Sequence, residues 1–166
     1  VAVEVGLVDH LLLLNALKKA GLKESDVTLV NAKTNELPQV FAAPDIAAIG
    51  VWQPVAGEAM KAVPGSRPIY TSADEPGLIY DVLAVNPASA KARKADWVKI
   101  TKVWDKIVAY IKDTKTSADA VKIMAARCGV SATEYQKMVN GSNFLTLEES
   151  RKIYVKGDGF KSIYGS

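Results

Sequence analysis

Three short stretches hold the side chains whose types and spacing could do chemistry: Asp9-His10, Trp52-Gln53 and Asp81. Asp9 and His10 follow Gly6, where the opening run VAVEV gives way to a helical pattern. In open α/β sheets, ligands sit at the carboxyl ends of strands, where helix amino termini present free N–H groups. A polar ligand suits that position. Equally, Asp9 can cap the helix while His10 packs on its first turn. His10 is the only histidine and has no Ser or Cys close by in sequence, so a catalytic dyad has little support.

Trp52 and Gln53 end the run AIGVWQP, and Pro54 forbids a simple continuation of a strand. A Trp at a sheet edge offers an apolar wall or a π face for a cation, and Gln53 can both donate and accept hydrogen bonds. The plainer alternative is a Trp that covers the end of the core. Asp81 lies inside LIYDVLAV, a stretch otherwise suited to a buried strand. A buried carboxylate is costly unless paired, so Asp81 calls for a salt bridge, a solvent-facing position or an ammonium group on a ligand.

Elements of two kinds must position these residues. From residue 1 to about 70, strand-like runs (VAVEV, VTLV, IAAIGV) alternate with helical patterns at Asp9 to Ala20, Pro38 to Ala43 and Val55 to Ala62. That order predicts a mostly parallel sheet with helices on its faces. PGSRPIYTSADEPG, dense in Pro, Gly and Ser, reads as a connection. After one more strand, IYDVLAV, the rest is helical. Trp97, Ile100, Val103, Trp104, Ile107, Val108 and Ile111 recur at three and four, giving one apolar face on which the tryptophans read as core. Ser117 starts the next helix and Gly129 follows its end, while SATE at 131–134 and TLEE at 146–149 are capping boxes. One strand cannot make a sheet, so these helices need strands from elsewhere or must pack on the first half.

The bulk numbers narrow the classes. Of 166 residues, 49% are apolar and 23% charged, within the range of globular domains. No apolar run approaches the roughly 20 residues that span a bilayer. Lys and Arg outnumber Asp and Glu only by 21 to 18 and are scattered, which gives no footprint for nucleic acid. The single Cys128 excludes an internal disulfide and a multi-cysteine metal site, and reads as a core residue at a helix end. Walker, dinucleotide-glycine and G-x-S-x-G patterns are absent. VAVEVG reads as a strand entered without a preceding turn, so the expectation is an abrupt mature start or the later part of something longer.

Taken in order, VAVEVG followed by HLLLLNALKKAGL, then DIAAIGVWQP, IYDVLAVNP and the tail GVSATEYQKMV…FLTLEESRKIY resemble the periplasmic solute-binding proteins of ABC importers for taurine, nitrate and aliphatic sulfonates. The resemblance runs over nearly the whole chain. It implies an α/β, periplasmic-binding-protein type II-like two-lobed fold, lacking here the amino-terminal part of the first lobe. Residues 1–72 would be the second lobe, 73–78 the return crossover and hinge, and 79–166 the carboxyl-terminal part of the first lobe. It further implies a monomer, without cofactor or catalysis, that works with an ABC permease in the periplasm.

By position, Trp52 and Asp81 resemble ligand-contacting residues of the taurine-type members, whose acidic residue holds the amino group. Gln53, Asp9 and His10 belong to the same expected site. Many relatives carry Ser or Thr beside the glycine of the opening helix to hold an anion, where this chain has Leu7, Val8 and Asp9. An amine-bearing solute such as taurine or 4-aminobutyrate therefore fits better than nitrate or a plain aliphatic sulfonate. A pyrimidine synthase of thiamine biosynthesis that uses pyridoxal phosphate shares the implied fold, but its cysteine-rich segment has no counterpart here. A sensory domain using the same cleft is a third reading.

Overall fold

The computed structural model describes residues 1–157 and 159–165. Asp158 and Ser166, which end the segment expected over 79–166, lie outside the described residues. The chain is a mostly helical α/β protein that divides into two compact units, Val1–Glu75 and Pro76–Ser166.

In the first unit, β1 (Ala2–Val3) pairs in parallel with β2 (Val30–Asn31), with Ala2 opposite Val30 and Val3 opposite Asn31. Its other edge takes a parallel bridge from Ile49, fixed by Ala2 N–H to the Ala48 carbonyl (3.0 Å) and Gly50 N–H to the Ala2 carbonyl (2.9 Å). The expected strands are thus present in order and direction but shrink to two paired residues or one. Pairing ends where side chains take over the backbone groups. Beyond Val3, the Glu4 and Val5 amides donate to the side chains of Asp9 and Asn31 rather than to a neighbouring strand.

Helix α1 (Val8–Lys19) follows β1 and ends before Gly21, whose φ of +73° is open to glycine at little cost. Short α2 (Leu37–Phe41) follows β2, and α3 (Val55–Ala62) spans the expected residues. Ala2, Leu37 and Ile46 form the buried centre, with Val40, Phe41, Ile49 and Val51 packed around them. Part of the segment expected as a crossover is fastened within this unit. Asp74 Oδ2 accepts from the Thr71 N–H and hydroxyl at 2.7 and 3.0 Å, and Lys19 Nζ reaches the Asp74 carbonyl (2.9 Å) and Glu75 Oε2 (3.0 Å).

The second unit is helical: α4 (Pro87–Ala92), α5 (Lys94–Lys112), α6 (Ser117–Cys128), α7 (Ala132–Val139) and α8 (Leu147–Ile153). Both capping boxes form. The Ser131 and Thr146 hydroxyls accept from the Glu134 and Glu149 amides at 3.2 Å, and each Glu returns a carboxylate oxygen to its cap. Gly129, at φ +69°, ends α6. No helix among the described residues is long and apolar enough to cross a membrane.

Three expectations fail in this unit. Residues 79–85 form no strand, because a strand needs neighbours and none pairs with them among the described residues. Only part of the α5 face is buried. Val108 is fully enclosed, whereas Trp104 is 42% exposed and uses its indole N–H on the Leu145 carbonyl at 3.0 Å. Cys128 is exposed rather than core, since α6 ends there with Ala120, Val121 and Ala125 turned inward instead.

Candidate functional site

The parallel order of β1, β2 and the Ile49 bridge brings three chain exits to one edge of the first unit. Glu4 to His10 leave β1, Ala32 to Thr34 leave β2, and Gly50 to Gln53 leave the bridge. Asp9, His10, Trp52 and Gln53 therefore stem from the same sheet edge, as their spacing from the strand-like runs predicts.

Asp9 is the buried centre of this edge, 3% exposed. It is the second residue of α1 and does not cap it. The N-cap position is Leu7, whose side chain makes no capping bond. Instead Asp9 Oδ2 accepts the Glu4 N–H at 3.0 Å, closing the turn between β1 and α1. Oδ1 is enclosed and has no partner among the described residues. A buried carboxylate oxygen without a donor forgoes a charge-assisted bond, a cost the amino-terminal end of α1 only partly offsets.

Gly50 explains how α1 approaches so closely. A methyl group there would lie 2.8 Å from Val3 Cγ1 and 3.3 Å from the Asp9 carbonyl oxygen, so only a hydrogen lets strand end and helix start meet. His10 Nδ1 accepts the Gly6 N–H at 3.2 Å, which puts the neutral ring's proton on Nε2, 3.6 Å from Glu24 Oε1. The imidazole is a turn fastener, and among the described residues no group of three metal-ligating side chains forms.

Glu4 and Thr34 complete the edge and were not picked out from sequence. Glu4 Oε2 accepts from both the N–H and the hydroxyl of Thr34, each at 2.7 Å. The Thr34 amide and then its hydroxyl hold the Glu4 carboxyl below its ordinary range, against a smaller opposing effect of burial. The only sequence signal for Glu4 is an acid interrupting the apolar run VAVEV.

Trp52 is 39% exposed and presents its ring at the surface. Gln53 turns back, its Oε1 accepting the Gly57 N–H in the first turn of α3 at 3.3 Å. Leu7 is exposed and Val8 half-buried. The edge thus combines an enclosed acid with a free oxygen, a second acid already satisfied, and an exposed aromatic ring. Such a set suits a donor-bearing or cationic group and repels an anion.

Asp81 belongs to the second unit and sits in the unpaired 79–85 segment. There it is exposed and makes no hydrogen bond or ion pair among the described residues. The expectation of a carboxylate buried in a strand is therefore corrected: without neighbouring strands nothing desolvates it. Its assignment as a cation partner rests on the resemblance alone.

No family model, curated protein or solved structure matches the chain.

Proposed function

We propose that this chain is a binding module, not an enzyme, that holds a small amine-bearing solute such as taurine or 4-aminobutyrate, with Asp9 and Trp52 at the sheet edge as contacts. The observation that carries the reading is the unpaired Oδ1 of a carboxylate that is 3% exposed. A ligand ammonium supplies the missing donor and the missing charge together. The exposed Trp52 ring suits the same group or the alkyl chain behind it. The sequence resemblance extends this to a periplasmic, two-lobed solute-binding protein delivering to an ABC permease, with Asp81 as a further carboxylate for the ammonium. A plain aliphatic sulfonate fits less well, because Asp9 stands where an anion site needs donors.

Thermal unfolding of the chain with taurine and 4-aminobutyrate, set beside their amine-free analogues ethanesulfonate and butyrate, tests the reading. Ligand at a hundred times its dissociation constant stabilises by about 2.7 kcal/mol, a shift of several degrees for a chain this size. A shift confined to the amines supports the proposal. Equal shifts with the analogues, or none with any of the four, overturn it.

A further inference from the structure

Six of the seven side chains of residues 79–85 are apolar or aromatic, with Asp81 the exception. Such near-continuous runs belong to strands covered on both faces and paired on both edges. Here the run lies between buried Leu78 and the Asn86 cap of α4, and is neither helix, turn nor bend. Among the described residues, no backbone N–H or C=O of 79–85 bonds to another backbone group. Val82 and Leu83 stand 54% and 63% exposed. Tyr80 tethers the run through its hydroxyl, which donates to the Phe160 carbonyl at 3.0 Å and leaves the backbone of both edges open.

The helices of the same unit lack a layer to cover. On α5, Ile100, Val103 and Ile107 are 43%, 53% and 47% exposed. An apolar groove of about 410 Å³ runs between α5 and α6, lined by Val103, Ile107, Tyr110, Ile111, Ile123 and Met124. An amphipathic helix in an α/β protein buries such a face against a sheet. An unpaired strand-type segment and an uncovered helix face are two independent signs of the same absent partner, a β-sheet.

We infer that residues 79–85 are one strand of a sheet whose neighbouring strands come from another polypeptide segment, with the apolar face of α5 covering that sheet. The partner's chemistry follows from the run itself. It is an extended chain with free main-chain donors and acceptors, apolar side chains on alternate positions, and no acid opposite Asp81. A second copy of this chain fits less well, because pairing two identical runs satisfies one edge of each and leaves the other bare. This pairing does not depend on which solute the first unit holds.

Amide hydrogen exchange on the full chain tests it, with a capped peptide of alternating valine and threonine flanked by lysines in excess as the probe strand. The same peptide, N-methylated at alternate residues so that one edge loses its donors, serves as the control. The expected result is that exchange at residues 79–85 slows about tenfold or more with the first peptide only. Val82→Pro should abolish the slowing and Val82→Thr should keep it, with both variants folding because the Val82 amide bonds to no backbone group. No slowing, equal slowing with the N-methylated peptide, or slowing without peptide that grows with chain concentration each overturns the inference. The last of these outcomes would assign the open edges to a second copy.

Discussion

Glu4 Oε2 sits 2.7 Å from both the amide nitrogen and the hydroxyl of Thr34, joining the exits of β1 and β2 across 30 residues of sequence. Parallel neighbours share no hairpin, so a side-chain bond of this kind does the work a turn does between antiparallel strands. It also aligns the chain that carries Asp9 with the chain that leaves β2.

This bond makes the first unit acid-sensitive in a defined way. The Glu4 carboxyl is held below its ordinary value of 4.5 in the folded chain. Its contribution to stability is therefore present above that value and is lost as pH falls through the lower, folded-state value. Urea midpoints measured from pH 6 downward should drop less steeply for Glu4→Gln than for the parent chain. Parallel slopes would remove Glu4 from the acid response.

Gly50→Ala probes the contact between strand end and helix start. The new methyl would meet fully buried Val3 at 2.8 Å and the Asp9 carbonyl at 3.3 Å. Overpacking of this kind costs about 1–3 kcal/mol. A denaturant midpoint unchanged from the parent would mean that α1 is free to shift.

Solute binding should depend on Asp9 and Trp52. Asp9→Asn keeps an acceptor for the Glu4 N–H but removes the charge. Losing a charge-assisted bond costs about 1.5–3 kcal/mol, or roughly 10- to 100-fold in dissociation constant. Trp52→Ala should weaken binding while leaving the helical circular dichroism intact, and Asp81→Asn should do so if the resemblance carries over. Calorimetric titration with taurine or 4-aminobutyrate measures all three. Parental affinity in both Asp9→Asn and Trp52→Ala would remove those residues from the site.

In the second unit, the Glu149 carboxyl is brought down to about 2 by the Thr146 amide, then by the Lys112 ammonium and the Thr146 hydroxyl. Carboxyl NMR titration should place its midpoint near that value, rising in Lys112→Met. Stability tied to this group is complete above its ordinary value of 4.5 and disappears as pH falls towards 2. Thr146→Ala, which removes the cap hydroxyl, should cost about 1 kcal/mol. A midpoint near 4.5 in the parent chain would show the capping box open in solution.

What was legible from sequence follows the range of the interaction concerned. Helices α3 and α6 begin at Val55 and Ser117 as expected, because periodicity and helix-stop residues are written within a few positions of each helix. The capping boxes at Ser131 and Thr146 were readable for the same reason. Strand order and direction were readable too, but strand length was not, since Glu4 and Val5 give their amides to side chains of Asp9 and Asn31. Residues 79–85 show the limit most plainly. Their composition is that of a strand, yet pairing belongs to neighbours and cannot be read from the run itself. The same holds for Asp81, whose burial was inferred from apolar flanks that are themselves exposed. Glu4 escaped notice because its partner Thr34 lies 30 residues away.

The Lys19 fastening has a consequence for proteolysis. Lys19 Nζ bonds to the Asp74 carbonyl and pairs with Glu75, and it lies 5.4 Å from the centre of the Tyr70 ring. Residues 70–75 are thereby tied to the carboxyl end of α1, although their composition is that of a loose connector. A protease must unwind that tie before its active site can accept the backbone as an extended strand. Nicking at Ser72 or Ala73 should therefore be slow in the parent chain and rapid in Lys19→Ala, making the first cut a direct reading of whether α1 still grips the end of its own unit.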